Sequence, residues 1–459
     1  MDGSAGVLLL GRLKVMAGRY WELVRSPEKG QAVRLSQRLA HGVMWGVLGG
    51  VGAKVFTLLA SVITARILGK VGFGEYGMAI STVGLFGSFA GLGLGITATK
   101  CVAEYREKDP AKAERILGLS AAVSFVSAGA MALVLFLGAP YIAAKTLAAP
   151  HLAPALKACS LMLFFTAVNG AQTGALFGFE AFRKNAKLNF GLGLMSLPVM
   201  SIGVWRWGLM GAVWASVIIS AVTWSVYHAA LRFECRKHGL KLTAAGCWTE
   251  RRILWRYSIP ATVTGLLVGP VFWAVNAMMA NRPGGYAEIG VYNAANQWRT
   301  MLLFIPMLIG QTIVPIMSER YGRGNIEATL KTMKVSMLVS ALVVVPVSVG
   351  VGLMGPWIMA QYGPSFADGW PVLLVVLATA SLMAVMTPVG NFIAASGRMW
   401  TGAAMNAGWG AVAVVSAWLF IPMGAVGLAL AFLIAYLAHS VWVFVYVYYV
   451  LRDNKSVRP

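Results

Sequence analysis

From residue 42 onward the chain alternates between long apolar runs and short polar bursts. A helix rises ~1.5 Å per residue, so about 20 apolar residues cross the ~30 Å hydrocarbon core of a bilayer. Twelve runs meet that length: 42–65, 76–99, 116–138, 156–177, 188–205, 208–231, 257–280, 295–317, 330–352, 370–392, 399–421 and 424–450. The pattern predicts an all-α integral membrane protein with twelve transmembrane helices. The boundary between the last two is the faintest, because 399–451 contains no Lys, Arg, Asp or Glu and only IPMGAVG (421–427) marks a turn.

Polar interruptions set the expected domains. Residues 1–40 interleave Leu13, Met16, Tyr20 and Trp21 with Arg12, Lys14, Arg19 and Arg25, which predicts a basic amphipathic helix lying on the cytoplasmic surface. GVLLL is too short an apolar core for a signal peptide, and no small-residue cleavage site follows. The longest internal polar stretch, 232–256, divides the spans into two lobes of six, 41–231 and 257–451, followed by a tail, 452–459.

The two halves also resemble each other. GFGEYG (72–77) and GYAEIG (285–290) are offset by 213 residues, as are Glu114 and Leu117 from Glu327 and Leu330. An even number of spans per half leaves both halves facing the same way, so the expectation is a parallel repeat about an axis normal to the membrane. Transporters built in this manner bind their cargo between the repeats.

Composition agrees with the pattern. The chain is 58% hydrophobic and 12% charged, with a mean hydropathy of +0.71; soluble domains carry about 25% charged residues. A net charge of +22 invites a nucleic-acid partner, but its distribution argues otherwise. With Lys157, Lys331 and Lys334 at span edges counted with the adjoining loops, thirty of the 38 Lys and Arg fall in segments that are cytoplasmic if both termini are inside, six in outer loops and two, Lys54 and Arg299, in span interiors. That asymmetry follows the positive-inside rule and suits anionic lipid headgroups, so no nucleic acid is implied.

Lys54 sits in GVLGGVGAKVF (46–56), which superficially suggests a phosphate-cradling loop. A P-loop needs the lysine directly after the last glycine and a hydroxyl next to it. Here Ala53 intervenes and Val55 follows. Lys54 is instead the only charge between Gly42 and Ala65, near mid-membrane, where an ionisable residue costs about 2.5–3.5 kcal/mol and usually faces a wet cavity or a partner. Arg299 lies about one turn inside its span beside Asn296 and Gln297, close enough to the interface to snorkel. None of the sixteen acids falls in the interior of a span. A lumen with cations and no carboxylates selects anions, phosphate above all.

Other motifs add little chemistry. Cys101, Cys159, Cys235 and Cys247 form neither a CxxC nor a zinc pattern and read as packing thiols; no cofactor or metal is indicated. AGLGLG (90–95) and GLGLM (191–195) lack the strand-then-helix context of a dinucleotide site and suit close helix packing. Pro198, Pro260, Pro270, Pro306, Pro315, Pro346 and Pro388 fall inside spans, where kinks and freed carbonyls are expected.

The run ITARILGKVGFGEYGMAISTVGLFGSFAGLGLGITATKCVAEYREKD (63–109) resembles bacterial oligosaccharide flippases of the polysaccharide-transport branch, in the superfamily of multidrug and toxic compound extruders and lipid II flippases. The resemblance spans about 40–450, and ARILGKVGFGEYG is its most specific part. It implies a V-shaped pair of six-helix lobes that flips a polyprenyl-pyrophosphate-linked oligosaccharide across the bacterial cytoplasmic (inner) membrane by alternating access, alongside polysaccharide assembly proteins. The family's cationic cavity then maps onto Lys54, and with less support onto Arg66 and Arg299, with Asn296 and Gln297 adding polar contacts.

One departure matters. Where relatives often carry an acid in the seventh helix, this chain has Asn276, which weighs against cation coupling there. A cation-coupled drug extruder of the same architecture would want a buried carboxylate. A membrane-embedded polymerase would want paired acids, or an acid with His, in a sizeable outer loop. Glu75, Glu288, Asp368 and His151 are scattered instead, and Glu75 and Glu288, at equivalent repeat positions, suit structural roles at helix ends.

Overall fold

The computed structural model describes residues 31–243, 245–258, 262, 266–396 and 399–456. Most of the expected surface-lying segment (1–30), Pro260 and Arg398 lie outside the described residues. Among the described residues all regular structure is helical. In chain order the helices are α1 (Gln31–Ala90), α2 (Leu94–Tyr105), α3 (Pro110–Tyr141), α4 (Ala153–Gly178), α5 (Phe182–Lys237), α6 (Val268–Ala280) and α7 (Gly285–Leu302). They continue with α8 (Phe304–Gly322), α9 (Ile326–Leu353), α10 (Gly355–Gln361), α11 (Trp370–Ala395), α12 (Met399–Phe420) and α13 (Gly424–Ser456).

Among the described residues seven stretches are long and apolar enough to cross a bilayer: Gly49–Ala90, Pro110–Thr146, Pro150–Gly178, Phe182–Lys237, Ile326–Leu353, Pro364–Ile393 and Trp400–Tyr449. The chain is therefore a multi-pass helical membrane protein. Three of these stretches are not single rods, the turn at Ile421–Met423 dividing Trp400–Tyr449. Gly69 (φ 66°, ψ 177°) breaks α1, and Trp207 with Gly208 (φ 54°, ψ −134°) breaks α5. Glycine reaches positive φ without the steric cost of a Cβ, which is why both reversals are built on it. Gly69 falls in the gap between predicted spans at 66–75, and Trp207–Gly208 falls at the boundary between predicted spans 188–205 and 208–231.

Elsewhere the helices depart from the sequence pattern. The predicted run 76–99 is interrupted, because α1 ends at Ala90 and α2 starts at Leu94 after Leu92 (φ 43°) and Gly93 (φ 63°). AGLGLG is thus a helix break as well as a packing surface, since a Cβ on Gly174 of α4 would collide with the Gly95 carbonyl. The predicted run 295–317 is likewise two helices. α7 begins ten residues earlier, at Gly285, and yields to α8 at Leu303. Pro306 has no N–H to give to the Leu302 carbonyl, which accounts for the break. The helices run on through Pro198, Pro346 and Pro388.

Helix starts follow local chemistry. Asp109 accepts from the Lys112 N–H at 3.0 Å ahead of Pro110, and Asn325 accepts from the Ala328 N–H at 3.0 Å. Each satisfies one of the amides that the first turn leaves unpaired. Glu288 accepts from the Ala425 N–H of α13 at 2.6 Å, and Glu75 pairs with His151 at 2.7 Å in the turn before α4. The two repeat-equivalent acids both serve the start of a later helix.

Among the described residues four apolar clusters form the interior. One joins α1, α3 and α4 around Met78, Leu135 and Leu156. The largest joins α6, α7, α11, α12 and α13 around Tyr292, Phe366 and Phe432. Two smaller ones surround Val102, Leu117 and Tyr227, and Met317, Phe392 and Val447. The basic segment 232–256 is docked against the first half. Leu240 is buried beside Leu117, the Lys241 N–H donates to Glu114 Oε1 at 2.7 Å, and Arg115 pairs with Glu250 at 3.0 Å.

Candidate functional site

α1 and α5 lie in close contact before their breaks. A Cβ on Gly49 would strike the backbone of Ala186, and one on Gly193 would strike Ala53. Small residues thus bring two apolar backbones together, as they commonly do where no hydrophobic force distinguishes helix from lipid. Beside this seam opens a cavity of about 660 Å³.

Its walls are unlike one another. From α1 come Lys54, Thr57, Ser61, Thr64 and Tyr76, and from α5 come Asn185, Asn189, Ser196, Ser216, Ser220 and Thr223. α8 contributes Phe304, Met307 and Leu308, with Gln297 of α7 beside them. The hydroxyl and amide groups come chiefly from α1 and α5, whereas the α8 residues are apolar.

The polar wall is rich in acceptors. Thr57, Thr64, Ser196, Ser220 and Thr223 each give their hydroxyl proton to a backbone carbonyl of their own helix at 2.6–2.9 Å. Their oxygens remain free to accept. The Tyr227 hydroxyl lies 2.5 Å from Asn185 Oδ1 and 2.9 Å from Asn189 Oδ1. Anchoring the amide oxygens on Tyr227 turns the Nδ2 donors away from it. Tyr76 and Ser216 share a hydrogen bond of 2.8 Å across the two helices.

Among the described residues Lys54 is the one charge of this lining, and it is exposed. No described acid pairs with it. The other expected site residues are dispersed. Gln297 reaches the cavity, whereas Arg66, also exposed, Asn296 and Arg299 are not part of its wall. Arg299 is 9% exposed, with its guanidinium carbon 4.9 Å from the centroid of Phe272. Arg299 therefore turns inward and does not snorkel.

The residues that sequence reasoning missed are the uncharged ones. Thr57, Ser61 and Thr64 recur at spacings of four and three, as do Asn185, Asn189 and Ser196 at four and seven. Such spacing places them on one helix face. A stripe of small polar residues within an apolar run was the available signal.

At the end of the cavity marked by Tyr76, the second half of α1 meets α7 with almost no side chain between. A Cβ on Gly74 would collide with the Tyr286 carbonyl, and one on Gly290 with the Lys70 carbonyl. The two halves of the GFGEYG/GYAEIG repeat thus touch each other.

Known proteins share this architecture. A multidrug resistance MATE family transporter of the MOP superfamily, solved inward-facing, superposes with a TM-score of 0.74 over 89% of this chain and 96% of its own, at 14% identity. A MOP superfamily transporter from Pyrococcus furiosus, whose binding pocket is described as of reverse polarity, gives 0.68 over 95% and 98%, also at 14% identity. By sequence, the EPS I polysaccharide export inner membrane protein EpsE of Ralstonia nicotianae is 23% identical over 400 residues, 84% of this chain and 88% of that protein. The fold is that of MOP transporters, and none of these proteins is named as an enzyme. Residues 39–320, more than half of the sequence, match the polysaccharide biosynthesis protein family, and the chain belongs to that family.

Proposed function

We propose that this protein flips a polyprenyl-pyrophosphate-linked oligosaccharide from the inner to the outer leaflet of the cytoplasmic membrane, for surface polysaccharide biosynthesis. The observation that carries this reading is the cavity itself: among the described residues, one ammonium without an acidic partner, set among hydroxyl acceptors of α1 and α5 with apolar residues of α8 beside them. Lys54 binds the diphosphate, aided by the amides of Asn185 and Asn189, with Gln297 reaching in from α7. Sugar hydroxyls donate to the Ser and Thr oxygens. The isoprenoid lies along Phe304, Met307 and Leu308 and leaves the cavity laterally into lipid.

Family membership and the export role in the name of the Ralstonia relative support a polysaccharide cargo. Alternating access fits a fold known in both inward-facing and outward-facing forms, matched here at TM-scores of 0.74 and 0.68. The drug-extruder alternative is disfavoured because no carboxylate lines the cavity among the described residues.

Twelve spans remain the reading that best fits the helices. The seven apolar stretches become ten once Gly69, Gly208 and the turn at Ile421–Met423 divide three of them. α6, and α7 with α8, supply the other two. The helix end at Ala90 and the break at Leu303 lie 213 residues apart, the offset of the GFGEYG/GYAEIG repeat, which favours two parallel lobes joined by 232–256, and the distribution of Lys and Arg favours both termini inside.

The test is the leaflet on which the lipid-linked sugar accumulates in cells lacking the protein. Inner-leaflet accumulation is expected. Unpolymerised units on the outer leaflet would assign a polymerase, and unchanged glycan with sensitivity to cationic drugs would assign an extruder.

A further inference from the structure

α7 carries polar groups on two faces. Gln297 lines the cavity and Asn293 abuts Gly77 of α1. Arg299, two residues on and about 200° further round a 3.6-residue helix, belongs to the buried stripe with Tyr292, Ala295 and Leu302. It enters the largest apolar cluster, away from the substrate cavity.

Its surroundings there are aromatic. Besides the 4.9 Å approach to Phe272, Trp409 stands 5.8 Å from the Phe272 ring and Tyr436 stands 5.2 Å from Trp409. No described carboxylate and no described hydrogen-bond acceptor pairs with the guanidinium. Trp409, 3% exposed, has a buried Nε1–H without an acceptor, while Asn276 and Asn296 have buried Oδ1 atoms without donors. Asn276 is held in place by its Nδ2, which donates to the Phe272 carbonyl at 2.8 Å. The unpartnered guanidinium, the Trp409 indole and the Asn276 amide therefore gather around Phe272, with Asn296 about one helical turn from Arg299 on α7. A cation–π contact offsets part of the desolvation of a guanidinium but leaves its N–H groups unsatisfied. Mutual pairing of the donors and acceptors would leave the charge uncompensated.

We infer that Arg299 and Trp409 form a binding site for a small inorganic anion of the halide class, hydrated by water held on the Asn276 and Asn296 oxygens. The anion neutralises the buried charge, accepts from the guanidinium and the indole, and needs no carboxylate from the protein. The site is independent of the flippase reading, because none of its four polar residues lines the substrate cavity.

Thermal unfolding of the purified protein in detergent, with chloride replaced by gluconate at constant ionic strength, tests the inference. The midpoint is expected to rise saturably with chloride in the wild type and equally in Lys54→Ala. Trp409→Phe should need about tenfold more chloride, the loss of one hydrogen bond to a charged ligand, and Arg299→Gln should show no saturable rise. Bromide-soaked crystals should give an anomalous peak between Arg299 and Trp409. Equal midpoints in chloride and gluconate, loss of the response in Lys54→Ala, or an unaltered response in Trp409→Phe would each overturn the site. Should Arg299→Gln fail to fold, Trp409→Phe and the bromide peak decide.

Discussion

Lys54 and Arg299 are the two cations that the hydropathy pattern leaves inside apolar runs, and the fold treats them in opposite ways. Lys54 stands exposed in a hydroxyl-lined cavity, while Arg299 is 9% exposed and stacked on Phe272. Their side chains suit this division. An ammonium is a compact, strongly hydrated charge that favours an open, wet site, whereas a guanidinium is planar, weakly hydrated and stacks on rings. Position in a span thus says that a charge is expensive, and the neighbouring side chains say what it is for. Without Phe272, Trp409 and Tyr436 in view, Arg299 reads as a second cavity cation.

The sharpest way to break the comparison is to remove the exposed charge. Lys54→Ala is expected to lower export of surface polysaccharide at least ~10-fold, since a hydrogen bond to a charged group is worth ~1.5–3 kcal/mol. Lys54→Arg should keep part of the activity. Immunoblots of membrane fractions paired with glycan assays check both, and full export by the alanine variant would remove Lys54 from the site. Accessibility sharpens the same contrast. A cysteine at position 54 should react with a membrane-impermeant thiol reagent in inverted vesicles, whereas a cysteine at 299 should stay unlabelled against the four buried native thiols. Labelling at both positions would place Arg299 in the aqueous cavity after all.

A smaller effect is expected where the wall is neutral. Asn189→Ala removes one amide held on Tyr227, and with ~1 kcal/mol for a neutral hydrogen bond the expected loss of export rate is about fivefold. Loss as severe as that of Lys54→Ala would mean that the amide, not the ammonium, dominates recognition.

How much of this was legible follows from the physics of each signal. Apolar length alone found the seven stretches long and apolar enough to cross a membrane, because a residue that contacts lipid is most cheaply apolar. It missed the breaks at 91–93 and 303, since a helix interrupted inside a hydrated or packed interior keeps its hydrophobicity; only AGLGLG and Pro306 betrayed them. Lys54 was legible because a solitary charge in oil is costly enough to demand a role. Asn185 was not, because a neutral amide in a helix rich in small residues is cheap, and its role depends on Tyr227, 42 residues away. Glu75 and Glu288 stood out as a repeated pair, and their helix-end contacts with His151 and Ala425 bear out the structural role.

A third kind of cation completes the comparison, one paired at the rim. Arg115 contacts Glu250 at 3.0 Å through Nη2 and at 3.1 Å through Nε, tying the segment after α5 to α3. The Arg115 side chain is 34% exposed and that of Glu250 16%. Solvent therefore screens much of the Coulomb term, and exposed pairs rarely exceed ~1 kcal/mol. Glu250→Gln should cost less than ~1 kcal/mol of stability and leave export unchanged, because Leu240 and the Lys241–Glu114 bond hold the same segment. A double-mutant cycle with Arg115→Gln, read by thermal unfolding in detergent, measures the coupling directly. A coupling above ~2 kcal/mol would show that this tie does more than a surface ion pair can. Segment 232–256 would then be a clamp on the first half of the chain, and the charge at the rim would rank with the two inside the membrane.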